Sequence, residues 1–333
     1  MLEKTAARPN LHTSALNLSG VFSAVISAAL LGFTPVLGKI AIQYGIAPFF
    51  VVALRTLLAT ILMAITVFLN NRSSFYIYPA GLLGCALAGT LNGIGSLFYY
   101  QALSLINANL GQLIFLTYPV FVTIWLTLDH YQPSPVSLIR LGLIVVGIGF
   151  LIYGIYTPPH LKGILFMLIA AACYGLHLPI NQRVLFEMPA PTVTFYTLLF
   201  MSAVVLPFGL LSNHALFTVA QTQQLMLSLI PVLALAIVTF LSRLTLFFGV
   251  KRIGGLQTAL LGVTELLVTL TFARLWLHET LNPSQWVGVI LICLSILLIS
   301  LEKPLQRRTS KVSWFHWLQH HAPSKHQNPP PLD

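Results

Sequence analysis

Arg243 and Glu265 are the residues whose type and spacing most directly imply chemistry. Each stands inside a long apolar run, Arg243 ten residues before Ile253 and Glu265 twelve after it. If those runs are helices folded back at Ile253-Gly254-Gly255, the two side chains reach similar depth and can form an ion pair. An ionised group at the centre of a membrane helix costs about 2.5–3.5 kcal/mol even on generous scales. Such groups therefore mark either a static pair that fixes packing or a working site. In the working case Arg243 takes an anionic group of a bound molecule, and Glu265 takes a proton or an amine. Arg55 and Lys39 are further cations, nearer the opposite end of their runs, where snorkelling to the headgroups competes with a buried role. Glu279, with His278 and Arg274, reads as a solvated cap.

Uncharged polar residues extend this constellation into a cavity. Asn92, Ser96, Tyr99, Tyr100 and Gln101 follow one another along one run, and Gln112, Thr117 and Tyr118 along the next. His177 and Asn181 are one helical turn apart and share a face, as a hydrogen-bonded packing pair or as part of a proton path. Pro35 and Pro179 are candidate hinges, or kinks that neighbouring groups compensate. No HExxH, GxSxG elbow or paired aspartates occur, so no catalytic residue is expected; an intramembrane enzyme using Arg243, Glu265 and His177 is the alternative reading. His316, His320, His321 and His326 lack cysteine or acidic partners at ligand spacing, and no metal or cofactor is expected. Cys85, Cys173 and Cys293 lie within apolar runs, where they act as small apolar residues.

The elements that must position these residues are membrane-length helices. Hydrophobic residues make up 57% of the 333 and charged ones 7%, and the mean hydropathy is +0.86, a balance suited to lipid. Runs of roughly 20 apolar residues, enough to cross the hydrocarbon layer, are read at about 19–42, 48–70, 79–99, 108–128, 135–154, 161–182, 192–212, 226–249, 256–277 and 285–301. The first is read as a retained helix. Gly81, Gly84, Gly89, Gly93 and Gly95 suit the third to close packing or sliding. Trp125, Trp276 and Trp286, near run ends, suit an interfacial belt.

The chain also repeats itself. Gly20, Ala29, Gly32, Ala47 and Pro48 recur 143 residues later as Gly163, Ala172, Gly175, Ala190 and Pro191. Five spans per repeat forces the second copy to enter the membrane upside down, as in secondary transporters. The expected fold is thus an all-α membrane protein of ten transmembrane helices in two inverted five-helix repeats. A tail at 1–18 and a basic tail at 303–333 flank repeats at 19–154 and 161–302. Most Lys and Arg fall on one side if both termini are cytoplasmic, with Lys162 and Arg274 outside. The net charge of +10 follows from that topology and from a tail facing an anionic leaflet, so no nucleic-acid partner is implied. An inner (plasma) membrane location is expected; oligomeric state is left open.

Tyr99-Tyr100-Gln101-Ala102-Leu103, Ala108-Asn109-Leu110-Gly111, Tyr118-Pro119 and Gly142-Leu143-Ile144-Val145-Val146-Gly147, with the second copy in Gly249-Val250-Lys251-Arg252-Ile253, Leu277-His278-Glu279-Thr280-Leu281 and Gly288, resemble the EamA module of the drug/metabolite transporter superfamily. The resemblance covers about 19–302. Arg55 stands where many members have an arginine early in the second helix; Asp129-His130 and Leu266 depart from the common pattern. The resemblance implies ten helices in two inverted repeats, cytoplasmic termini, and export or exchange of amino acids, metabolites or drugs. The expected function is alternating-access secondary transport of small metabolites, amino acids or amphipathic compounds, with protons as a candidate coupling partner and Glu265 as their carrier.

Overall fold

The computed structural model describes residues 18–70, 72–129, 134–153, 160–212, 222–253 and 262–301. The tails with Lys4, Arg8 and the C-terminal histidines, the turn residues Gly254 and Gly255, and Pro158-Pro159 lie outside the described residues. Within them the secondary structure is helical: α1 (Leu18–Gln43), α2 (Pro48–Asn70), α3 (Pro79–Leu105), α4 (Ala108–Phe115), α5 (Tyr118–Leu128), α6 (Pro135–Tyr153), α7 (Leu161–Glu187), α8 (Ala190–Leu211), α9 (Thr222–Ile253), α10 (Gly262–Trp276) and α11 (Pro283–Leu297). In lipid every backbone amide needs a partner inside its own segment, and a helix supplies it.

Among the described residues, eight spans are long and apolar enough to cross a membrane, one of them made jointly by α4 and α5; α11 is a shorter apolar helix. Of the expected ninth and tenth spans, the described residues hold α10 and α11, 15 residues each; residues 256–261 of the ninth lie outside the described residues. The expected single helix at 108–128 is broken. Pro119 sits in the first turn of α5 and lacks the N–H that would continue the ladder, while the Thr117 hydroxyl donates to the Ile114 carbonyl at 2.7 Å.

Helix pairing crosses the two halves of the chain: α1 lies on α9 and α10, α3 on α7 and α8, α2 on α8 and α9, α4 and α5 on α7, and α6 on α11. Small residues allow the approach. A Cβ added at Gly32 would stand 2.6 Å from the Glu265 carbonyl, and one at its repeat counterpart Gly175 would stand 2.9 Å from the Tyr118 carbonyl. Hydroxyls join the same interfaces: Thr269 Oγ1 donates to the Gly32 carbonyl at 2.8 Å, and Thr60 and Ser202 hydroxyls meet at 2.8 Å. Large apolar side chains such as Ile139, Val145, Leu211 and Ile290 point outward, the surface a lipid solvent favours.

Candidate functional site

Where these crossings meet lies a cavity of about 50 Å³ lined by Thr34 of α1, Arg55 of α2, Asn92, Ser96 and Tyr99 of α3, Phe115 of α4, Tyr174 of α7, Thr239, Ser242 and Arg243 of α9, and Glu265 of α10, among others. Its charged residues are deeply buried: Arg55 is 5% exposed, Glu265 7% and Arg243 8%. Arg55 Nη1 donates to Thr239 Oγ1 at 2.9 Å, and its guanidinium lies 4.8 Å from the Tyr100 ring centre. Arg55 is therefore anchored inside the bundle and does not snorkel. Arg243 Nη2 donates to Asn92 Oδ1 at 3.4 Å, with its guanidinium 5.5 Å from the Tyr174 ring centre.

The expected Arg243–Glu265 ion pair is absent among the described residues. Gln112 Nε2 donates to Glu265 Oε1 at 2.8 Å instead, and Tyr99 donates to Gln112 Oε1 at 3.5 Å. Gln112 lies within the short helix α4 that precedes the break, on the side that meets Glu265 of α10. Gly32 is the other positioner, since only a missing side chain lets α1 approach the Glu265 backbone so closely.

Of the residues singled out in the sequence, Arg55, Asn92, Ser96, Tyr99, Arg243 and Glu265 share the cavity wall, and Gln112 joins them through Glu265. Tyr118 is one layer back, its ring 4.9 Å from that of Tyr174. His177 is fully buried and off the wall: its ring packs 4.7 Å from Tyr174, its Nδ1 lies 2.9 Å from the Tyr174 carbonyl, and its Nε2 has no partner. Asn181 accepts from Thr197 at 3.1 Å. The trio Arg243, Glu265 and His177 thus does not surround one space. Pro35 and Pro179 are interior to α1 and α7; Pro35 follows the wall residue Thr34. Sequence reading missed Tyr174, Phe115, Thr239 and Ser242. Position one turn from Arg243 or His177 would have found Thr239 and Tyr174, but neither Ser242 nor Phe115.

At the far end of α3, Lys39 Nζ donates to the carbonyls of Leu103 at 2.7 Å and Ile106 at 2.9 Å. Glu279 accepts from the backbone N–H groups of Ala108 and Asn109, each at 2.9 Å. A cation thus closes the C-terminal end of α3 and a carboxylate the N-terminal end of α4, each with the sign the helix end favours. Burial pushes the Glu279 carboxyl above its ordinary range, while the two backbone bonds and Lys39 draw it back in part. Lys39 does not snorkel, and Glu279 is no solvated cap.

The sequence profile of the EamA-like transporter family matches this chain over residues 18–153 and again over 161–301. An uncharacterized transporter of Synechocystis sp. is 26% identical over 229 residues, 66% of this chain and 66% of that protein. A solved crystal structure described only as that of a protein has the same fold, with a TM-score of 0.58 at 15% identity over 85% of this chain and 97% of the other.

Proposed function

This chain belongs to the EamA-like transporter family, and we propose that it is a secondary transporter of small organic metabolites, exporting or exchanging them by alternating access around the Arg55, Arg243 and Glu265 cavity. The observation that carries this reading is the cavity's place: its wall takes charged side chains from both halves of the chain, so relative motion of the halves must open or close it. Two guanidinium groups and a carboxylate with no ion pair between Arg243 and Glu265 remain available to a solute. Pro35 and Pro179 lie inside the equivalent helices α1 and α7, Pro35 next to the wall residue Thr34, and are the points where these helices bend most easily.

The doubled family match supports two repeats, 19–154 and 161–302. The helix pairing maps onto itself when the repeats are exchanged: α1 on α9 answers α7 on α3, and α2 on α8 answers itself. Ten passes in two inverted sets of five, with both termini cytoplasmic in the plasma membrane, fit that pairing and the bias of Lys and Arg in the sequence. A proton or solute gradient supplies the energy, with Glu265 as the proton carrier.

The test compares metabolites released by cells expressing the parent chain and Arg243→Gln at equal membrane abundance. A compound class released by the parent alone is expected. Indistinguishable profiles, with both proteins folded, would refute an exporting role for this site.

A further inference from the structure

The cavity's charges do not balance. Its wall carries two arginines and, among the described residues that line it, one carboxylate, which leaves a surplus of one positive charge in a setting where a lone ion is costly. Glu265 makes no ion-pair contact with either guanidinium; its Oε1 accepts from Gln112. Both guanidinium groups also keep spare donors: Arg55 Nε and Arg243 Nη1 are buried without a partner. Buried N–H groups of charged side chains are rarely left so. Tyr100 and Tyr174 support the guanidinium faces, and a ring face attracts a cation without supplying a counter-charge.

We propose that the cavity binds a monoanionic, carboxylate-type head group between Arg55 and Arg243, with no ammonium beside it. The assignment rests on the transport reading and narrows it to organic anions. One such group returns the site to neutrality while Glu265 stays ionised. A zwitterion would have to place its ammonium at the remaining oxygen of Glu265, within a cavity wall that also carries two guanidinium groups that repel it. A cation would raise the surplus. The space of about 50 Å³ admits a head group of a few heavy atoms; drug-sized ligands occupy roughly 300–1,000 Å³, so the rest of such a solute would need the site to open.

The test uses the purified full chain and three four-carbon probes that differ in head group, butyrate, 2-aminobutyrate and butylamine, at one ionic strength. Bound solute raises the unfolding temperature, and the concentration dependence gives an apparent affinity. Butyrate is expected to bind at least about tenfold more tightly than either other probe, since like-charge juxtaposition discriminates strongly. Arg55→Gln and Arg243→Gln should each lose most of the butyrate response, and Arg274→Gln, an exposed arginine away from the cavity, should keep it. If an arginine variant does not fold, the ranking of probes on the parent decides alone. Equal or tighter binding of 2-aminobutyrate or butylamine would overturn the assignment, as would no binding by any probe. Parent-specific release of a zwitterion or cation from cells would overturn the head group while sparing transport. Unchanged release profiles beside selective butyrate binding would sink transport and spare the head group.

Discussion

Replacing Gly32 by alanine tests how the site is held. The added Cβ would lie 2.6 Å from the Glu265 carbonyl and 2.7 Å from Val268 Cβ, and neither a backbone carbonyl nor a β-branched side chain can step aside alone. Ordinary contact begins at 3.4 Å, so α10 must retreat by about 0.8 Å, and overpacking of this kind costs roughly 1–3 kcal/mol. Alanine also gains helix propensity over glycine, about 0.5–1 kcal/mol. Gly142→Ala and Gly149→Ala, whose added Cβ meets nothing within 4 Å, share that gain without the overlap. The gap between Gly32→Ala and these controls is therefore the overlap alone, about 1–3 kcal/mol, read as a melting point several degrees lower for purified protein. The same retreat would stretch the 2.8 Å Gln112–Glu265 bond beyond hydrogen-bonding range, so Gly32→Ala and Gln112→Leu should be less than additive. A Gly32→Ala protein that melts with the controls would refute the close-approach argument.

Other outcomes follow from the same geometry. Gly175→Ala should behave like Gly32→Ala, though more mildly because its nearest approach is 2.9 Å; equal melting of Gly175→Ala and Gly142→Ala would contradict it. Thr239→Val removes the Arg55 acceptor and leaves a buried charged donor unmet, lowering stability by roughly 1–3 kcal/mol, measurable by denaturant or heat. Lys39→Met uncovers the α3 carbonyls and should cost about 1 kcal/mol; no change in melting would show that solvent serves those carbonyls equally well. For Glu279 the folded carboxyl is raised above its unfolded value, so the protonated form is the one folding favours. Its contribution is greatest below the ordinary carboxylate range and is lost as pH rises through the raised value. The stability advantage of the parent over Glu279→Gln should accordingly shrink as pH rises, and an advantage that grows would oppose this account.

Much of the architecture could be read from the residues, because apolar run length, the 143-residue recurrence and the scarcity of charge each record the same constraint of lipid. Arg55, Arg243 and Glu265 stood out for the same reason: hydrocarbon makes an ionisable residue conspicuous. Their partners did not. The pairing of Glu265 with Gln112 rather than Arg243 depends on the break at Leu116-Thr117, which brings α4 to face α10, and no spacing rule gives a side chain's azimuth about a broken helix. Depth along a helix does not decide the fate of Glu279, because the unpaired end of α4 claims it, and of the two readings open for Lys39 the unpaired end of α3 selects the buried one. Tyr174 was overlooked since an aromatic in an apolar run carries no mark of its own.

The turn between α3 and α4 also has a history in time. Its capping carboxylate, on Glu279, lies 170 residues beyond Asn109 in the chain, and synthesis at about 5–20 residues per second delivers it about 8 to 34 s later. Until then the first amides of α4 have no such acceptor while the earlier segments are already entering the bilayer. Completion of this end of the bundle is thus a late event in biogenesis, and chains truncated before Glu279 should be the ones that quality-control proteases recognise there.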